Sequence, residues 1–130
     1  EPRVVIAYLD TNVVLFLAHG ELKRITRRAE QALDRSDLLL SPMVMLELTY
    51  LYEIGRITVR ADAIFQELNR SIDLRICNLP FDRIVAAASK EAWTRDVFDR
   101  MVVSHAKTND EAPLITADAV IAAHYPNVVW

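Results

Sequence analysis

Val4-Val5-Ile6-Ala7-Tyr8-Leu9, followed at once by Asp10-Thr11-Asn12, is the stretch on which the fold turns. Six apolar residues in a row, several of them β-branched, do not alternate between a wet and a dry face. They read as a strand buried on both sides, the kind found inside parallel sheets. The run stops abruptly on three polar residues, which places Asp10 at the carboxyl end of that strand.

Outward from this strand, the chain alternates helical and extended patterns. Val13 to Ala18 is a helix closed by Gly20, and Leu22 to Arg35 is a second helix with Leu22, Ile25, Ala29 and Leu33 at helical spacing. Leu38 to Leu40 is a short strand. Ser41-Pro42 sets a capping hydroxyl before a proline at the first helical position, so a helix runs from Pro42 to about Ile54 and stops at Gly55. Further helices are expected over Ala61 to Ile72, Asp82 to Trp93 and Val97 to Lys107. Strands are expected at Leu74 to Cys77, Pro113 to Thr116 and, at an edge, Val128-Val129. This alternation defines an α/β fold with a mostly parallel central sheet of four to five strands flanked by helices.

The 130 residues, 52% hydrophobic and 25% charged, suit one domain spanning 1–130 with its own core. No apolar run approaches the roughly 20 residues that cross a bilayer, and Glu1-Pro2-Arg3 is not followed by a secretory apolar segment, so a cytoplasmic location and no membrane partner are expected. The single Cys77 forms no internal disulfide, and no Cys/His pair has zinc spacing. A formal charge of -3 is not the basic excess usual for phosphate-neutralising proteins. A site built from several carboxylates would give such a total while leaving basic patches elsewhere.

Four carboxylates stand out. In open α/β sheets, ligands collect at the carboxyl ends of strands, where Asp10 lies and where Asp118 follows Leu114-Ile115-Thr116 by two residues. Each is also a good helix cap or turn residue, and that alternative stays open. Glu47 falls among Met43, Leu51 and Ile54 on the helical wheel, an apolar arc in which a carboxylate needs a cation, strong donors or protonation, with a structural arginine partner as the alternative. In Asp96-Val97-Phe98-Asp99-Arg100, Asp99 borders the apolar stripe Phe98, Met101, Val102, His105 and Ala106, whereas Asp96 lies further toward solvent. Four such groups brought together would repel one another and raise their own pKa values unless a divalent cation neutralised them. Oxygen-only ligands suit Mg2+ or Mn2+, and such ions hydrolyse phosphodiesters without a nucleophilic side chain.

These segments together resemble the PIN domain, and most closely its VapC-type toxins. The resemblance runs through Leu9-Asp10-Thr11-Asn12, the helix Ser41-Pro42-Met43-Val44-Met45-Leu46-Glu47-Leu48, Asp96-Val97-Phe98-Asp99-Arg100 and Leu114-Ile115-Thr116-Ala117-Asp118. It implies that Asp10, Glu47, Asp99 and Asp118 form a catalytic, metal-binding quartet, that Thr116 is a polar residue near the metal, and that Asp96 is a further acidic neighbour. Asn12, in the same opening motif, is a secondary candidate. Many relatives carry proline where Val97 stands, a departure that removes no ligand. The resemblance further implies an Mg2+- or Mn2+-dependent endoribonuclease acting on RNA, a cognate antitoxin that occupies its groove, and a homodimer.

Lys23, Arg24, Arg27 and Arg28 form a basic helical face suited to phosphate or simply to solvent, and Arg100 is the better candidate for touching a scissile phosphate or an antitoxin carboxylate. The apolar residues of Val13 to Ala18 and of Tyr50, Leu51 and Tyr52 exceed what one helix face buries, consistent with a partner surface or with helices central to a small domain. His19, His105 and His124 have no companion at ligand spacing. Two rivals remain. A phosphatase with Asp10 as nucleophile is disfavoured because Asn12 stands where dehalogenase-like enzymes carry a second aspartate, and a PIN-fold RNA- or protein-binding module without catalysis would be expected to have lost ligands of the quartet.

Overall fold

The computed structural model describes residues 5–130, so Val4 and the Glu1-Pro2-Arg3 segment lie outside the described residues. The first strand, β1, is Ile6–Leu9, and Ala7, Tyr8 and Leu9 are fully buried, as a two-faced strand requires. Strands β2 (Asp37–Leu40), β3 (Arg75–Ile76), β4 (Leu114–Ile115) and β5 (Val128–Val129) join it in one sheet of order β3-β2-β1-β4-β5, every neighbouring pair parallel.

That order has a functional consequence. From β1 the chain moves outward through β2 to β3, then returns to the other side of β1 and lays down β4 and β5. The reversal between β1 and β4 is a topological switch point, where the connections leaving two adjacent strands diverge and open a crevice at their carboxyl ends. Tyr8 pairs with Leu114 and Leu9 with Ile115, so the residues that follow these strands, Asp10 and Thr116, emerge side by side.

Among the described residues seven α-helices flank the sheet: α1 (Thr11–Ala18), α2 (Arg27–Arg35), α3 (Pro42–Glu53), α4 (Ala61–Ile72), α5 (Phe81–Ala88), α6 (Val97–Thr108) and α7 (Ala119–His124). Helix α3 begins as its sequence dictates, with Ser41 Oγ accepting from the Met43 amide at 3.1 Å and Pro42 in the first turn; Gly55 follows its end at φ 78°. The core joins β1, β2 and β4 to Val13 and Val14 of α1, Val44 and Leu48 of α3, Ile64 and Leu68 of α4, and Val102, Val103 and Ala106 of α6.

Three local expectations are corrected. The helix expected over Leu22 to Arg35 is broken: a 3-10 turn covers Leu22–Arg24, Ile25 is extended, and Thr26 caps α2 by accepting the Ala29 amide at 3.2 Å. Capping by the Thr26 hydroxyl competes with continued helix and wins. The helix expected to reach Trp93 ends at Ala88, because Glu91 turns inward instead of staying on an exposed helix face. Helix α7 was not anticipated, although Asp118 is its cap. Among the described residues, no helix is long and apolar enough to cross a membrane.

Candidate active site

Asp10 closes β1 and caps α1, so strand and helix fix its carboxylate from both sides. Oδ1 accepts from the Thr11 amide at 2.8 Å and Oδ2 accepts from the Thr116 hydroxyl at 2.6 Å; the residue is only 5% exposed. Thr116, just past β4, is the junction of a small network. Its hydroxyl donates to Asp10 while accepting from the Asp118 amide at 3.0 Å and from Asn12 Nδ2 at 3.5 Å. Asn12 Oδ1 in turn accepts from the Ala117 amide at 3.5 Å. The two sides of the switch point are thereby stitched together.

Asp118 caps α7, with Oδ1 accepting from the Val120 and Ile121 amides at 2.8 and 3.0 Å. Asp96 caps α6 in the same way, with Oδ1 accepting from the Phe98 and Asp99 amides at 2.9 and 3.1 Å. Capping and ligation are therefore compatible at these two positions, since Oδ2 of each takes no hydrogen bond among the described residues. Three helices present their amino ends here, each with a partial positive charge that favours anions.

Glu47, on α3, is partly buried and accepts a short hydrogen bond from the Thr11 hydroxyl. Thr11 is the residue that sequence reading missed. Its only signal was a hydroxyl directly after Asp10, and its role depends on α3 packing beside α1, which periodicity does not reveal.

The electrostatics bind the group together. Burial raises the Asp10 carboxyl above its usual value against the pull of its Thr116 and Thr11 hydrogen bonds, and Asp118 and Asp96 raise it further. Burial also raises Glu47, opposed by Thr11 and reinforced by Asp10 and Asp96. Asp99 is pushed up to about 7, first by burial and then by Asp96, Asp10, Asp118 and Glu47. Each of the expected four carboxylates thus lies within electrostatic reach of Asp99 or is Asp99 itself. The ion pairs among the described residues, Arg24–Glu21, Arg70–Glu67, Arg75–Asp73 and Lys107–Glu91, leave all of them uncompensated.

The donor set fits a hard divalent cation in charge and chemistry: carboxylate and hydroxyl oxygens at the ends of β1 and β4 and the starts of α6 and α7, with Glu47 on α3 in their field. Among the described residues no three His, Cys, Asp or Glu side chains are already gathered tightly enough to hold an ion.

A pH dependence follows. Raised carboxyl pKa values favour the folded state at low pH and lose that contribution as pH rises through about 7, the Asp99 value. His105, buried against Met101 with its pKa lowered by burial, works in the opposite sense below about 6.5. In chelator, the melting temperature is therefore expected to rise as pH falls from 8 to 6.5, and Asp99→Asn to flatten that slope. A flat or inverted wild-type curve in that window, recorded by circular dichroism, would remove the electrostatic strain argued above.

Other expected residues lie elsewhere. Arg100 Nε donates to the Thr94 carbonyl at 2.8 Å, and its side chain lines a shallow apolar groove of about 270 Å3 with Met43, Phe81, Val85 and Val97. Lys23 and Arg24 sit in the 3-10 turn and Arg27 and Arg28 in α2, so they do not share one helical face; Arg24 stacks over Phe16 at 4.3 Å and pairs with Glu21.

The family model for the PIN domain matches residues 7–125. Among solved structures, a chain of the toxin–antitoxin complex from Klebsiella pneumoniae is similar at 20% identity and TM-score 0.64, covering 95% of this chain and 96% of that one. A chain of VapBC2 from Rickettsia felis, bound to a DNA fragment from its promoter, is 17% identical at TM-score 0.62, with 95% and 96% coverage. A chain of VapBC-1 from nontypeable Haemophilus influenzae is 20% identical at TM-score 0.64, with 95% of each chain covered. At these identities the likeness is one of fold. No curated protein sequence gives a significant match.

Proposed function

The chain belongs to the PIN domain family, and on that premise we propose that it is an Mg2+- or Mn2+-dependent endoribonuclease, the toxin of a VapBC-type pair, forming one domain over 1–130 and acting in the cytoplasm. The observation that carries the reading is the pool of uncompensated carboxylates around buried Asp10 at the sheet's switch point. Asp10, Glu47, Asp99 and Asp118 would hold the cation, with Asp96, Thr116 and Asn12 around them. When bound, the cation supplies Lewis acidity for hydrolysis of an RNA phosphodiester.

The chain's own residues do the positioning. Thr116 holds Asp10 and the start of α7 in one network, so the carboxylates from β1 and β4 keep a fixed relation. Thr11 holds the Glu47 carboxylate beside them. The amino ends of α1, α6 and α7 hold Asp10, Asp96 and Asp118 in place through their first-turn amides.

Partner binding has support of its own. On α3 Leu46 and Tyr50, and just past its end Ile54, are about half exposed, and Phe81 and Val97 are 61% and 60% exposed beside the Arg100 groove. Such a surface suits a cognate antitoxin and a homodimer, and Arg100 would offer its guanidinium to an antitoxin carboxylate.

The spread of the carboxylates favours one rival, a PIN-fold RNA- or protein-binding module without catalysis. Incubating the purified chain with a mixed cellular RNA pool, in Mg2+ or Mn2+ and in chelator, separates the two. Discrete products that depend on the metal are expected, together with a rise in melting temperature at millimolar metal. An intact pool and an unshifted melting temperature in every condition would leave the binding module standing.

A further inference from the structure

Away from the carboxylates, the segment joining α5 to α6 is held by contacts that the proposed chemistry does not use. Glu91 is only 6% exposed, yet carries a carboxylate. Its Oε1 lies 2.5 Å from Lys107 Nζ, near the end of α6, and its Oε2 accepts from Trp93 Nε1 at 2.6 Å. A carboxylate so placed orients two groups at once, because removing either leaves a buried charge short of a partner. Trp93, fixed in this way, stacks flat on His124 of α7, with ring centroids 4.8 Å apart and planes 7° apart. His124 is itself oriented, its Nδ1 2.9 Å from the Val120 carbonyl one turn earlier.

The two ends of this stack lead to the site. Directly after Trp93, Thr94 accepts the Asp96 amide on its hydroxyl at 3.1 Å and the Arg100 Nε on its carbonyl at 2.8 Å. Asp96 then caps the turn that carries Asp99. On the other side, α7 is a short helix that begins at Asp118 and ends at His124. The stack therefore joins the segment that delivers Asp99 to the far end of the helix that delivers Asp118.

We propose that Trp93, locked by Glu91 and Lys107 and stacked on His124, is a positioning residue that fixes the Asp99-bearing turn of α6 relative to the Asp118-bearing start of α7, and so sets how well these carboxylates take a divalent cation. This rests on the metal reading above. Among the described residues neither ring hydrogen-bonds to the site carboxylates; both act through the backbone that carries them.

The test is a Mn2+ titration of the full chain by calorimetry, well below the melting temperature, with metal-free thermal denaturation as the folding control. Trp93→Ala and His124→Ala are expected to weaken Mn2+ binding about tenfold, in the range seen when groups supporting metal ligands are removed. His124→Phe, which keeps an aromatic face against Trp93, is expected to restore most of that affinity, whereas Trp93→Phe loses the Glu91 hydrogen bond and is expected to restore only part of it. His124 is exposed, so its truncation keeps the question answerable if Trp93→Ala fails to fold. A purely structural role would lower the melting temperature without moving the affinity of the folded chain. Wild-type affinity in His124→Ala, or no recovery with His124→Phe, overturns the positioning role and leaves the metal reading intact. A wild-type chain that takes up no Mn2+ overturns both.

Discussion

Replacing Asp10 by Asn is expected to lower metal-dependent RNA cleavage by about three orders of magnitude, equivalent to roughly 4 kcal/mol of transition-state stabilisation. A metal centre contributes several kcal/mol to phosphoryl chemistry, and Asp10 is the most buried of its proposed ligands. The variant should remain folded. Asparagine keeps an oxygen for the Thr11 amide, and it removes the carboxyl whose ionisation burial already disfavours. The metal-free melting temperature should change little, because relief of the burial penalty on the carboxyl offsets the loss of the acceptor for the Thr116 hydroxyl, and that separates lost chemistry from lost fold. Glu47→Gln is expected to act in the same direction. Retention of full cleavage by Asp10→Asn, in a gel assay with Mg2+, would take Asp10 out of the site.

Thr116→Val should produce the second large effect, this time on stability and activity together. Valine matches threonine in shape but cannot donate to Asp10 Oδ2 or accept the Asp118 amide. A hydrogen bond to a charged group contributes about 1.5–3 kcal/mol, and the loss leaves a buried carboxylate oxygen without its donor. The melting temperature of the metal-free chain should fall accordingly, and cleavage should drop by about ten- to a hundredfold as the ligands from β1 and β4 lose their tie. Thr116→Ser keeps the hydroxyl and should recover most of both. Wild-type melting and cleavage in the valine variant would show that the network does not organise the site.

The buried run Ile6–Leu9 was legible because a strand covered on both faces needs nothing but apolar residues, and Ser41-Pro42 marked α3 because capping is a local matter. Thr26 misled for the opposite reason. Its apolar neighbours keep helical spacing, and only the competition from its hydroxyl breaks the helix. Asp10 and Asp118 could be singled out because the end of a strand is visible in one dimension. Asp99 could be ranked above Asp96 because it borders the apolar stripe of α6, and the structure leaves Asp96 exposed as the cap of the helix on which Asp99 is partly buried. Thr11 and Glu91 were out of reach altogether. Each owes its role to a contact between elements, one with α3 and the other with the end of α6, that no local pattern encodes.

The order of strands also bears on the birth of the protein. The central strand's neighbour β4 lies near the end of the chain, and the Thr116–Asp10 bond spans 106 residues. Synthesis runs at about 5–20 residues per second, and contacts so distant along the chain form late. A nascent chain on the ribosome thus carries Asp10 and Glu47 long before Asp118 exists, and its crevice has only one wall. The crevice therefore gains its second wall only once Thr116 and Asp118 have been made and β4 has docked beside β1.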